Sequence, residues 1–98
     1  MARYRLSAHA DDKISAIYKY SLLNFGEDQA DLYFTGLHRL LGTLAETPLL
    51  GRSDESHGNG LRRFVYERHV IFYKVVPGGI LVLDVFGVRQ VPRTPGKI

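Results

Sequence analysis

The pattern of apolar and polar positions changes its period once along the chain, near Gly60. Before that point the spacing is helical after a brief start: Arg3 to Ser7 (RYRLS) alternates polar and apolar residues and predicts a short strand. Ile14, Ile17, Tyr18, Leu22 and Phe25 then recur three and four residues apart, which predicts an amphipathic helix. Asp11 and Asp12 stand where a first helical turn favours negative charge. Asn24-Phe25-Gly26 supplies the stop, with Gly26 able to adopt the left-handed conformation past a helix end. Glu27 and Asp28 open a second helix with a stripe of Ala30, Tyr33, Phe34, Leu37, Leu40, Leu41 and Leu44, and Thr47-Pro48 ends it. So short a connection predicts an antiparallel helix hairpin.

Pro48 to Gly60 (PLLGRSDESHGNG) has no apolar period and reads as a surface loop. From Leu61 the composition turns to strands, LRRFVYE, HVIFYKVV and ILVLDVF, with Pro77-Gly78-Gly79 as the turn between the last two. The closing VPRTPGKI reads as a frayed tail. The order is β-α-α-β-β-β, an α+β domain spanning 1–98 in which the helix hairpin packs on a mostly antiparallel, curled sheet.

That architecture raises a difficulty. A helix hairpin covers one face of a sheet, and an antiparallel sheet with one wet face alternates apolar with polar residues. Here Ile71, Tyr73 and Val75 are apolar and so are Val70, Phe72 and Val76, while Leu81, Leu83 and Val85 alternate with Ile80, Val82 and Phe86 in the same way. Either something outside the chain covers the second face, or the curled sheet and the tail do. The contiguity of the apolar positions favours an outside partner.

Composition narrows the classes. A chain of 98 residues supports one core and not two. It has no cysteine, so neither a disulfide nor a thiolate metal site is available, in keeping with a reducing compartment. The N-terminus lacks the apolar run of a signal peptide, and Lys74, Pro77 and Asp84 interrupt the longest apolar stretches. A cytoplasmic protein without a membrane span is expected. Up to Leu50, five basic residues face six acidic ones, a net −1; from Gly51 onward, eight face four, a net +4. An acidic partner is therefore expected on the strand half. His9, His38 and His57 are scattered without ligand spacing, so no metal is expected, and no cofactor motif is present.

Several short motifs, taken in order, resemble one family. Gly26, Gln29 and Ala30 form a Gly-x-x-Gln-Ala helix junction; Leu44, Ala45, Pro48, Gly51 and Arg52 form a Leu-Ala-x-x-Pro-x-x-Gly-Arg ending; Gly60-Leu61-Arg62 precedes His69-Val70-Ile71-Phe72-Tyr73. Together they resemble the ParE-type toxins of the ParE/RelE superfamily, from bacterial type II toxin–antitoxin modules, across nearly the whole chain. The resemblance implies the same β-α-α-β-β-β fold and neutralisation by a ParD-like antitoxin in a hetero-oligomer, whose C-terminal segment folds against apolar toxin surface. For ParE members it implies poisoning of DNA gyrase, with nucleic acid engaged only indirectly; for RelE members, cleavage of messenger RNA on the ribosome.

On that basis Phe64, Tyr73, Val82 and Phe86 are the expected antitoxin contacts, because covering a sheet is an apolar task. Arg62, Arg89 and Arg93, on the basic strand half and tail, are the expected target contacts. RNA cleavage needs groups to activate a 2′-hydroxyl, stabilise the phosphorane and protonate the leaving oxygen. Arg62, Arg63, Glu67, His69 and Tyr73 are the candidates for that chemistry. The region after the last strand, FGVRQVPRT, lacks the His or Tyr that RelE-like ribonucleases place there, and Gly87-Val88 departs from the His often found there in ParE members. Binding is therefore preferred to catalysis. A nucleic-acid module stacking bases on Phe64, Tyr66, Phe72 and Tyr73 is a third reading, disfavoured by their apolar neighbours.

Overall fold

Ser7 starts the first helix: its extended backbone and its Oγ, which accepts the N–H of Ala10, cap the helix that follows. The computed structural model describes residues 2–91. Its elements are β1 (Arg3–Leu6), α1 (Ala8–Phe25), α2 (Glu27–Glu46), a 3₁₀ turn (Pro48–Leu50), β2 (Arg52–Ser53), β3 (Leu61–Tyr66), β4 (His69–Val76) and β5 (Gly79–Gly87). A single residue, Gly26 at φ 88°, separates the helices. Its N–H closes α1 on the Leu22 carbonyl and its own carbonyl accepts from Ala30.

The strands form one sheet in the order β1-β5-β4-β3-β2. β1 runs parallel to β5 and the other neighbours are antiparallel. The expected fold class holds, with one strand added: β2 lies inside the segment expected to be loop, where two residues carry no periodic signal. Gly79 permits the β1 crossing, since a Cβ there would lie 1.7 Å from the carbonyl oxygen of Arg3.

Ala10 and Ile14 of α1 and Leu37, Leu41, Leu44 and Ala45 of α2 pack over Ile71, Tyr73, Ile80, Val82 and Val85. Ile80, Val82 and Val85 share a face although their spacing changes from two to three. A bulge is the reason: Tyr73 stands opposite Val82 and Phe72 opposite Asp84, which leaves Leu83 as an extra residue. The expected grouping of Val85 with Leu81 and Leu83 is corrected by that one residue.

The second face is corrected as well. Leu61, Val70 and Phe72 are buried there, with Leu83, Phe86 and Val91 packed against them. The His57 ring lies 5.8 Å from that of Phe72, and Phe86 meets Phe72 edge-on, also at 5.8 Å. Cover comes from within the chain, chiefly the 54–60 loop, rather than from a partner over the whole face. Each enclosed side chain of this size contributes about 1.5–3 kcal/mol relative to exposure. By contrast Leu22 and Phe25, expected in the buried stripe of α1, are exposed beside Leu23 and Tyr20 at the hairpin tip. No described helix is long and apolar enough to cross a membrane.

Candidate functional site

The strand half carries most of the polar side chains that bridge distant parts of the chain, and three groups account for them. The first grips the end of α2. Tyr73 donates its hydroxyl to the Pro48 carbonyl at 2.7 Å and accepts the Gly51 N–H at 2.9 Å. Arg62, opposite Tyr73 in the ladder, donates Nε to the Gly51 carbonyl at 2.8 Å and Nη2 to that of Leu49. Gly51 must be glycine for close approach, because a Cβ there would sit 2.3 Å from the Tyr73 hydroxyl. This is the physical content of the Pro-x-x-Gly-Arg ending.

The second group pins the 54–60 loop over the outer face. Asp54 is buried and accepts from Ser56 Oγ at 2.6 Å, from His57 Nδ1 at 2.9 Å and from Arg63 Nη1 at 3.1 Å. Burial alone pushes its carboxyl up, but these three donors outweigh that and hold the pKa at about 2. The Arg63 guanidinium also lies 5.4 Å from the Phe72 ring centroid.

The third group lies at the other end of β4. The Tyr33 hydroxyl bonds to His69 Nδ1, and Tyr66 donates to the Tyr33 carbonyl. Burial, and then the charge of Lys13, lower the His69 pKa; burial, then Tyr66 and Glu67, raise that of Tyr33. The pair is therefore a phenol donating to a neutral imidazole. Close by, Asp84 holds His9 at 3.0 Å and Lys13 at 3.3 Å, and Lys13 also caps the Val85 carbonyl and covers the Phe86 ring at 4.1 Å.

These groups fix the fate of the expected site residues. Tyr73 and Val82 are 0% exposed and belong to the helix–sheet core, so neither offers surface to an antitoxin. Phe64 and Phe86 are half-buried and do present surface. Arg62 and Tyr73 meet, but to hold the 3₁₀ turn. Arg63 points to the opposite face, and His69 sits four ladder pairs from Tyr73, engaged by Tyr33. Glu67 occupies the β3–β4 turn at φ 53°. Of the stacking candidates Phe64, Tyr66, Phe72 and Tyr73, the last two are enclosed. Arg89 is exposed just after β5, and Arg93 lies outside the described residues.

Sequence reading missed Asp54, Ser56, His57 and Asp84. The last had a signal, as the one charge in a nine-residue apolar strand. Among the described residues no group of three or more His, Asp or Glu is placed to hold a metal ion. A groove of about 290 Å³ flanks Phe64, lined by Leu50, Arg52, Arg63, Phe64 and Val65.

Residues 4–92 match the family model described as the ParE toxin of the type II toxin–antitoxin system parDE. The chain is 37% identical over 75 residues to Toxin ParE1 of Caulobacter vibrioides, covering 76% of this chain and 78% of that one. It is 29% identical over 80 residues to Toxin ParE1 of Mycobacterium tuberculosis, with 82% of each chain covered. Its fold matches a chain of a structure titled as the chromosomal ParDE system from P. aeruginosa, with a TM-score of 0.75 at 19% identity, over 90% of this chain and 97% of that one.

Proposed function

This chain belongs to the ParE toxin family of type II toxin–antitoxin systems, and from that premise we propose that it acts by binding and poisoning DNA gyrase, held in check by a ParD-like antitoxin. One observation carries the choice of binding over RNA cleavage: the candidate catalytic groups do not converge on one point. Arg62 and Tyr73 are committed to the 3₁₀ turn, Arg63 to Asp54 on the other face, and His69 to Tyr33. An acid, a base and a phosphate clamp must reach one substrate from one side, and these approach from three.

Binding asks for less. The basic excess of the strand half steers an acidic surface toward it, and Arg89 stands exposed at its end. Neutralisation draws on apolar surface next to that charge, which Phe64, Val65 and Leu50 supply.

The test is induced expression without antitoxin. The expected result is filamentation and DNA-damage signalling while ribosome-bound messages stay intact, with Arg89→Ala weakening toxicity and leaving antitoxin affinity unchanged. Codon-specific cuts in those messages, lost in His69→Ala, would transfer the function to ribosome-dependent endoribonuclease.

A further inference from the structure

The sequence holds two asparagines, Asn24 and Asn59, and the fold treats them oppositely. Asn24 lies in the last turn of α1, where its Nδ2 donates to the Tyr20 carbonyl at 2.8 Å. Phe25 follows it and is still helical, so the next N–H is directed back along the helix axis. Asn59 lies in the 54–60 loop between Gly58 and Gly60, and both it and Gly60 are exposed. Among the described residues nothing bonds to the Asn59 side chain or to the Gly60 N–H.

Asn59 and Gly60 are the two central residues of a tight turn. It is closed by the Leu61 N–H on the Gly58 carbonyl at 3.1 Å, with Gly60 at φ 70°. A Cβ built on Gly60 would meet nothing within 4 Å, so this side of the backbone is open. Glycine also lacks the side chain that shields the backbone nitrogen of other residues, and glycines on both sides let the turn rotate. Asparagine is a chemically labile residue, and here its carboxamide has a bare nitrogen next to it.

We propose that Asn59-Gly60 is a self-modification site, at which the chain deamidates and comes to run through the side chain of residue 59. The Gly60 nitrogen attacks Asn59 Cγ, and the new N–Cγ bond closes a five-membered imide. The Cγ–Nδ2 bond breaks, and ammonia leaves, taking up the proton lost from the Gly60 nitrogen. Water then opens the ring at one of its two carbonyls. Opening at Cγ gives aspartate; opening at the main-chain carbonyl leaves Gly60 joined to Cγ, an iso-aspartyl link. The balance is one water in and one ammonia out. Either product lowers the net charge of the strand half from +4 to +3. The iso-aspartyl link also adds one main-chain carbon inside the turn, between the Gly58 carbonyl and the Leu61 N–H. Leu61 is 1% exposed and packs with Val70 and Phe72 under this loop, so the lengthened turn loosens the cover of the outer face.

The test ages the purified full chain in warm, mildly alkaline buffer and follows each asparagine by peptide mass as NH is exchanged for O. Asn59 should convert at least tenfold faster than Asn24, and faster as pH rises, because the attacking nitrogen must lose its proton. A carboxyl methyltransferase that recognises iso-aspartyl residues, supplied with S-adenosylmethionine, should label the aged parent and not aged Asn59→Ser. The labelled chain should unfold at lower urea than fresh protein. Asn59→Asp should unfold with the fresh parent, because charge alone does not lengthen the turn. If Asn59 survives as long as Asn24, the site is wrong. If the labelled chain unfolds with the fresh protein, the site stands and the loosening is wrong.

Discussion

Two stretches of sheet edge, each where a strand runs past its shorter neighbour, are finished in opposite ways. Where β5 runs past the end of β1, side chains occupy its outward backbone groups. Ser7 Oγ donates to the Leu83 carbonyl and Lys13 Nζ to that of Val85. Asp84 accepts the Val85 N–H, and Gln90 Oε1 accepts that of Gly87. Where β3 runs past β2, no described residue gives Val65 such cover. An edge closed by its own chain offers no template to a partner, and an open one does. The two edges differ in unmet hydrogen bonds rather than in hydrophobicity. β4 and β5, the most apolar stretches of the sequence, are the most fully internal.

The largest expected effect opens the closed edge. Asp84→Ala removes the acceptor of the Val85 N–H and the partner of His9 and Lys13, and should cost about 3 kcal/mol in urea unfolding. Antitoxin affinity should stay within twofold, because the apolar surface proposed for the antitoxin lies around Leu50 and Phe64 instead. Gly51→Ala acts near the open edge: the new Cβ would crowd the Tyr73 hydroxyl at 2.3 Å and the Arg63 carbonyl at 2.8 Å. About 2 kcal/mol should be lost, this time with weaker antitoxin binding, because β2 and the groove shift together.

A smaller effect depends on acid. The Asp54 carboxyl titrates at about 2 in the fold against an ordinary 3.8. Its contribution is therefore complete above pH 3.8 and is lost as pH falls toward 2. The stability gap between the parent and Asp54→Asn should close over that window, read from melts at a series of pH values; a gap constant from pH 6 to 2 would remove Asp54 as the loop's pin. The smallest effect is Val65→Thr, expected within about 0.5 kcal/mol of the parent in stability. A large loss there would mean that the position is structural and not a free edge.

Much of this was legible in the residues. The helix hairpin followed from the stripe of Leu37, Leu41 and Leu44 and from Gly26, because a period sustained over several turns has few other solutions. The second face was misread because the absence of alternation was taken for an uncovered surface. What covers Phe72 is a loop of Asp54, Ser56 and His57, whose hold depends on geometry rather than on apolar period. Val85 was misplaced because a bulge leaves no mark on composition. Tyr73 and Val82 were expected at the surface because periodicity does not say which face lies under the helices, and the fold puts them there. All four histidines proved to be clamps between partners, His9 with Asp84, His38 with Tyr4, His57 with Asp54 and His69 with Tyr33. Spacing along the chain could not reveal that, since three of those partners lie more than thirty residues away.

The claim that this toxin works by binding is tested most directly with purified components. DNA gyrase, supercoiled plasmid and the toxin are combined, and the enzyme's covalent cleavage complexes are trapped with detergent and counted. The account predicts that linear plasmid accumulates with toxin concentration, that the ParD-like antitoxin abolishes it, and that ribosome-bound messenger RNA is uncut at the same concentration. Intact plasmid together with cut message would contradict it.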